Sequence, residues 1–337
     1  MKMKLLLFLL CILTSFLVTL TAMPYWIKRA VNAGLVGTDM NKRKKPKVAE
    51  VGGIIVVAGT IAGILAYVAI KTFYFNSMQF VIEILAFVCT LLIITLIGFT
   101  DDILGWKIGL RQYQKPILCL LAAIPLAVIN VGESTITLPF IGPVNLGILY
   151  PLVLVPIAIT GAANGFNMLA GYNGLEAGMG MVILSTLGLF QVRNIGYIDV
   201  LWVGVISFCA VAALVAFFLY NKFPAKIFPG DTLTYSIGAI IASVAIFGNV
   251  EKIALILFIP YFIELILKIR GKLKKESFAL PQKDNSLEIK GVYGLEHIAI
   301  KLLKKIKPSK KVYEKDVVSL ILGLETIIAI IVIFLYL

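Results

Sequence analysis

Histidine is almost missing from this chain: there is one, His297, in 337 residues. With no second histidine and no cysteine near it, a zinc site is excluded, and a structural or solvated imidazole is expected. Cysteine is scarce too. Cys11, Cys89, Cys119 and Cys209 all fall inside apolar runs, and no pair has metal-ligand spacing. They read as small buried hydrophobes. Charge is the third shortage, at 15% of residues against 60% hydrophobic. That balance excludes a soluble globule, in which apolar residues make up about half. There is no low-complexity tract and no internal repeat.

What the chain has instead is a series of apolar stretches near 20 residues, the length that crosses a hydrocarbon core of roughly 30 Å. Ten can be read, over 5–27, 52–70, 80–100, 116–131, 148–163, 175–192, 200–220, 232–248, 253–269 and 317–337. They predict an all-α integral membrane protein: a single polytopic domain over 1–337, built as a bundle of about ten transmembrane helices. The first stretch follows Lys2 and Lys4 as a secretory leader would. It lacks a small-residue cleavage pattern, however, and seven basic residues follow between Lys28 and Lys47, so it is expected to remain as a first helix. Gly59 and Gly63 are spaced for close helix packing. Residues 133–147 have the composition of a small hairpin.

The net charge is +13. Nucleic acid is one class of partner that such a charge suggests, but the positions of the basic residues argue against it. The loops 28–50, 101–115, 164–174, 221–231 and 268–316 carry 26 of the 31 Lys and Arg, and the alternate loops with both termini carry five. The positive-inside rule then puts the first set in the cytoplasm, both termini outside, and the protein in the cell membrane as a multi-pass chain. Residues 268–316 become a cytoplasmic basic loop, suited also to anionic headgroups or phosphates.

Polar clusters collect on that cytoplasmic side. Asp101 and Asp102 end the third span, at the negative end of the helix macrodipole, which costs roughly 0.3–1 kcal/mol each. Lys107, Arg111, Lys115 or a divalent metal would relieve them, and so would simple solvation. Neighbouring helical residues point about 100° apart, so the two carboxylates are not expected to bind one ion alike. The run from Asn164 to Glu176 is rich in Asn and Gly. Asn164 and Asn167 share a helix face, and carboxamides suit a nucleobase edge or a hard metal. Glu176 is the only charged residue between Glu133 and Arg193. Asp231, after Pro229-Gly230, fits either a plain N-cap or an ordered ligand for Mg²⁺. Phe228 could stack on a base or sit at the membrane interface. Glu264 lies at i, i+4 from Lys268, and Glu325 lies deep in the last span.

Three segments, GFTDDILG (98–105), NGFNMLAGYNGLEAG (164–178) and FPGDTLTY (228–235), together resemble the membrane family that transfers a sugar-1-phosphate from a nucleotide sugar to a polyprenyl phosphate. The branch acting on UDP-N-acetylglucosamine and dolichyl phosphate is the most similar, and the resemblance covers nearly all ten spans. It implies a catalytic role for Asp101 and Asp102 at the acceptor phosphate, with Lys115 beside them. It implies Mg²⁺, or Mn²⁺, on Asn167 and Asp231, uracil contacts from Asn173 and Phe228, and Asn164 lining the site. Glu176 and His297 complete the candidate substrate-binding residues. Relatives carry a histidine- or arginine-rich motif in the last cytoplasmic loop. Here Lys283, Lys290 and His297 are the available substitutes, and the triple histidine of the peptidoglycan-precursor branch is absent. The implied partners are a UDP-sugar donor, a polyprenyl or dolichyl phosphate acceptor, membrane lipid and a second copy of the chain, with no nucleic acid. The implied reaction is attack of the lipid phosphate on the β-phosphorus of the donor, releasing UMP. A transporter would instead place its polar residues near the midplane on broken helices, often within repeats.

Overall fold

In the computed structural model, residues 2–105, 109–138, 142–193 and 201–337 are described. Lys107, one of the cations considered beside the aspartate pair, lies outside them, as does residue 200 at the start of one predicted span. The helices are α1 (Lys2–Asn32), α2 (Gly53–Phe73), α3 (Val81–Leu104), α4 (Gln114–Ala122), α5 (Ile124–Val128), α6 (Val155–Met168), α7 (Leu175–Val192), α8 (Leu201–Asn221), α9 (Gly230–Phe247), α10 (Glu251–Leu257), α11 (Ile259–Arg270), α12 (Leu295–Ile306) and α13 (Glu314–Tyr336). A π-turn, Tyr150–Leu154, leads into α6.

Among the described residues, eight helices are long and apolar enough to cross a membrane: α1, α2, α3, α6 with its π-turn, α7, α8, α9 and α13. The protein is therefore an all-α membrane protein, as the composition required. Two of the ten predicted spans take another form. The fourth is the shorter apolar pair α4–α5, Gln114–Val128. The ninth is interrupted at Phe258, where Pro260 begins a new helix and α10 gives way to α11. Proline lacks the amide hydrogen that would continue the ladder, so the break falls at its position.

The centre of the bundle is α9, of which 83% is buried against 22% of α1. It is also one of the least apolar spans. Thr232, Thr234, Ser236 and Ser243 are all buried on it. Ser236 donates to the Thr232 carbonyl at 2.6 Å and lies 2.9 Å from the Thr95 hydroxyl. The Ser236 and Thr234 hydroxyls also reach partners on α3 and α6, which ties this helix to the neighbours that enclose it. α2, α3, α6, α7 and α8 pack around it. The Gly59 and Gly63 pair does serve close packing: a Cβ at Gly59 would meet the Ser15 carbonyl of α1 at 2.9 Å, and one at Gly63 the Cys11 carbonyl at 2.7 Å.

Among the described residues, three antiparallel hairpins lie outside the helices. β1 (Val36–Thr38) pairs with β2 (Lys47–Ala49), β3 (Thr135–Leu138) with β4 (Gly142–Asn145), and β5 (Leu280–Pro281) with β6 (Leu287–Glu288). The second is the hairpin expected over 133–147. Beyond β2 the chain is stitched to the segment before α9: Phe228 donates its amide to Ala49 at 2.7 Å, and Gly52 donates to the Phe228 carbonyl at 2.9 Å.

Candidate active site

The two aspartates at the end of α3 find different partners. Asp102 reaches the start of α9. Its carboxylate accepts the Asp231 amide at 2.7 Å, the Thr232 amide at 3.0 Å and the Thr232 hydroxyl at 2.5 Å. The unfavourable C-terminus of one helix is thereby relieved by the favourable N-terminus of another. Asp231 does not cap its own helix: Pro229 holds the N-cap position and no side chain of α9 closes it. That N-cap reading is corrected here, because the Asp231 side chain turns away to Lys115. Two glycines permit this geometry. A Cβ on Gly98 would stand 2.6 Å from the Asp231 carbonyl, and Gly230 has φ +72° with the Asp102 carboxylate directly against it. A side chain at Gly230 would meet both a left-handed backbone and a filled space.

Asp101 faces the other way. It accepts the Leu110 amide at 2.6 Å and pairs with the Lys115 ammonium at 2.8 Å. The same ammonium reaches Asp231 at 2.7 Å and sits 5.7 Å from the centre of the Tyr235 ring. The Asp101, Lys115 and Asp231 side chains are only 15%, 19% and 22% exposed, at the mouth of the bundle rather than in open water. Thr234, one turn into α9, donates to the Asn167 carboxamide oxygen at 2.8 Å. Asn164, one turn earlier on α6, donates to the Thr160 carbonyl at 2.8 Å and touches the Cys119 thiol. Asp101, Asp102, Lys115, Asn164, Asn167 and Asp231 thus gather from α3, α4, α6 and α9. Sequence reasoning overlooked Glu50, which follows β2. Burial pushes its carboxyl above the usual carboxylate range; Lys47 opposes this, and the nearby Asp231 charge adds to it.

Asn173, Glu176 and His297 belong to a second network that orders the loops. Asn173 is buried; its amide donates to Glu314 at 2.7 Å and its side chain to Asp39 at 3.2 Å. Lys42 bridges Asp39 and Glu314, and its ammonium lies 4.6 Å from the centre of the Phe223 ring. Glu176, also buried, accepts the Gly171 amide at 2.7 Å. Asn41 ties the Gly171 carbonyl to the Ala279 amide. His297 accepts the Tyr293 amide on Nδ1 at 3.1 Å, so Nε2 carries the proton towards the Phe278 carbonyl at 3.3 Å. Burial holds this imidazole below its usual range, against the pull of that carbonyl. Phe228 is half-buried, its backbone fixed by Ala49 and Gly52. No signal in a single sequence would have revealed Asp39, Asn41, Lys42 and Glu314 as the partners of the Asn/Gly run.

The sequence pattern described as glycosyl transferase family 4 matches residues 84–249. The chain is 36% identical over 334 residues, 99% of this chain and 98% of the other, to a protein of Saccharolobus solfataricus provisionally named UDP-N-acetylglucosamine–dolichyl-phosphate N-acetylglucosaminephosphotransferase. The chain belongs to glycosyl transferase family 4. A Sulfolobus acidocaldarius protein with the same provisional name is 33% identical over 323 residues, covering 96% of this chain and 94% of that one. The Dictyostelium discoideum protein that carries the name outright is 28% identical over 287 residues, 75% of this chain and 69% of its own. The matched segment of this family 4 chain contains every member of the first cluster and excludes Glu50, Glu314 and His297.

The first cluster fits a hard divalent cation. Asp101 and Asp231 already converge on one positive charge, the Lys115 ammonium, and Asp102 stands beside them on the Asp231 amide. All the spare donors are oxygens, the chemistry Mg²⁺ selects. Among the described residues no group of three or more His, Cys, Asp or Glu side chains is assembled as a metal site.

Proposed function

We propose that this family 4 enzyme transfers N-acetylglucosamine-1-phosphate from UDP-N-acetylglucosamine to dolichyl phosphate or another polyprenyl phosphate, the first membrane step in building a lipid-linked oligosaccharide. The observation that carries this reading is the Asp101–Lys115–Asp231 array, partly exposed at one end of a membrane bundle and supported by the names of full-length relatives. An acceptor phosphate anchored in lipid arrives at that end, and a water-soluble donor reaches it from the aqueous side.

In this mechanism an oxygen of the lipid phosphate attacks the β-phosphorus of the donor. The bond from β-phosphorus to the bridging oxygen breaks, UMP leaves with the electron pair, and a pyrophosphate-linked sugar remains on the lipid. Lys115 exchanges part of its pairing with Asp101 and Asp231 for the incoming phosphate charge. Asp101, freed on one oxygen, orients the acceptor and can hold its proton. Asp102 stays committed to the amides of Asp231 and Thr232, so it fixes α9 against α3 and with it the position of Asp231. Mg²⁺ or Mn²⁺, held by Asp231 and Asn167, would neutralise the donor diphosphate. Asn173 and Phe228 contact the uracil in this reading, while Asn164, Glu176 and His297 line or support the pocket.

The same reading sets the cluster in the cytoplasm, both termini outside the cell membrane, and ten crossings once α4–α5 and α10–α11 are counted. It includes a second copy of the chain as partner. The decisive experiment gives purified protein polyprenyl phosphate, Mg²⁺ and UDP-N-acetylglucosamine, follows UMP, and adds unlabelled competitors. A site that pairs the edge of uracil leaves buried groups unpaired with another base, at about 1–3 kcal/mol per group. UDP-sugars should therefore compete far better than GDP-mannose. Equal competition by GDP-mannose would overturn the base contacts. Faster turnover of another UDP-sugar would change only the sugar.

A further inference from the structure

The loop between α11 and α13 holds an amphipathic helix whose outer face is exposed, with no partner among the described residues. α12 buries Leu295, Ala299 and Ile300 against the bundle, while Ile298, Leu302 and Ile306, one turn apart, are exposed. It packs on α11 and α13. Between it and the end of α11 runs a groove of about 320 Å³ lined by Arg270, Val292, Ile298, Lys301, Leu302 and Lys305. Three aliphatic side chains form the floor and three cations the rim. Arg270, Lys301 and Lys305 are exposed, and none has an ion pair among the described residues. Lys304, on the inner side of the same helix, is paired with Glu288.

The groove continues an exposed apolar surface of α11. Phe262, Ile266 and Ile269 form an exposed strip along α11, and Arg270 follows directly where that strip reaches the groove. An aqueous partner would have to cover that apolar strip. A membrane lipid covers it with its chain and brings a phosphate to the cations at the same depth. Apolar residues on one face with lysine and arginine beside them are the chemistry of a helix lying in the membrane surface.

We propose that the groove between α11 and α12 binds an anionic phospholipid of the leaflet at the active-site end. Arg270, Lys301 and Lys305 hold the headgroup phosphate, and one chain lies along Ile298, Leu302 and the exposed strip of α11. The site is separate from the acceptor site and does not depend on which sugar the enzyme transfers. Bound there, the lipid fixes α12 against α11, where the Leu295 amide donates to Glu264, and through His297 and the Phe278 carbonyl it steadies the loop over the second network.

The test is native mass spectrometry of the full chain in detergent, titrated with phosphatidylglycerol or phosphatidylcholine. Three basic residues attract an anionic headgroup and not a zwitterionic one, so wild-type protein should retain phosphatidylglycerol at least about tenfold more tightly than phosphatidylcholine. The R270Q/K301Q/K305Q variant should lose that preference while its phosphatidylcholine retention is unchanged. Ile298→Ser with Leu302→Ser should weaken both lipids. A charge-matched control, K44Q/K45Q/K310Q, alters exposed lysines elsewhere and should keep the preference. UMP release in phosphatidylcholine micelles, within about twofold of wild type for every variant, shows that each is folded. The proposal is overturned if the groove variant keeps its preference, or if the control loses as much. It is also overturned if farnesyl phosphate displaces phosphatidylglycerol and the groove variant raises the KM for polyprenyl phosphate, because the groove would then belong to the acceptor.

Discussion

Asp101 and Asp102 are neighbours in sequence, yet the structure predicts different failures when each is neutralised. Asp102 accepts three hydrogen bonds from the start of α9. In Asp102→Asn one carboxylate oxygen becomes an NH₂ group facing donors, so at least one charge-assisted bond is lost, worth about 1.5–3 kcal/mol. The negative charge at the N-terminus of α9 goes with it, a further ~0.3–1 kcal/mol. The sum is about 2–4 kcal/mol of stability. Asp101→Asn keeps an oxygen for the Leu110 amide and leaves Lys115 paired with Asp231, so a partly exposed ion pair is the main loss, at about 1 kcal/mol or less. Turnover should fall at least about 10²-fold in both, the scale of a positioned catalytic group. Thermal unfolding in detergent, followed by fluorescence, reads the difference. Chains of 150–250 residues shift by roughly 2–4 °C per kcal/mol, and this longer chain should shift less. Asp102→Asn should therefore melt at least about 3 °C below wild type, and Asp101→Asn within about 2 °C of it. Equal melting of the two variants, or wild-type melting of Asp102→Asn, would refute the assignment of Asp102 to helix positioning.

The remaining predictions address the other parts of the site. EDTA should abolish UMP release and Mg²⁺ or Mn²⁺ should restore it, with Asp231→Asn raising the metal requirement or ending turnover; full activity of that variant in excess chelator would remove Asp231 from the metal site. Gly98→Ala forces a methyl group to within 2.6 Å of the Asp231 carbonyl and should cost about 1–3 kcal/mol by overpacking, seen as a lower melting temperature and reduced turnover. A cysteine at exposed Lys44 should resist an impermeant maleimide in intact cells while one at exposed Met78 reacts; the reverse pattern would invert the topology.

Much of this protein is legible in one dimension. Burial in lipid requires long apolar helices, so composition and run length alone determined an all-α membrane protein, and the clustering of Asp, Asn and Gly at span ends marked the segments that meet. Small residues marked a close helix approach, which proved to be that of α2 to α1, whereas the ninth span was read as unbroken and the interruption before Pro260 was missed. The Thr and Ser on α9 carried no such signal in the chain, and the structure shows that helix to be the enclosed one. Only the tertiary structure decided which partners the charged residues take. Asp231 looked like an N-cap from its position, and the cap proved to be Asp102, 129 residues away. Asn173 is held by Asp39 and Glu314, 134 and 141 residues distant. Hydropathy records which segments are apolar enough to cross a membrane. Hydrogen bonds of 2.5–3.2 Å depend on how α3, α6 and α9 cross and on which turn of each faces its neighbour, and no local pattern in the chain encodes that geometry.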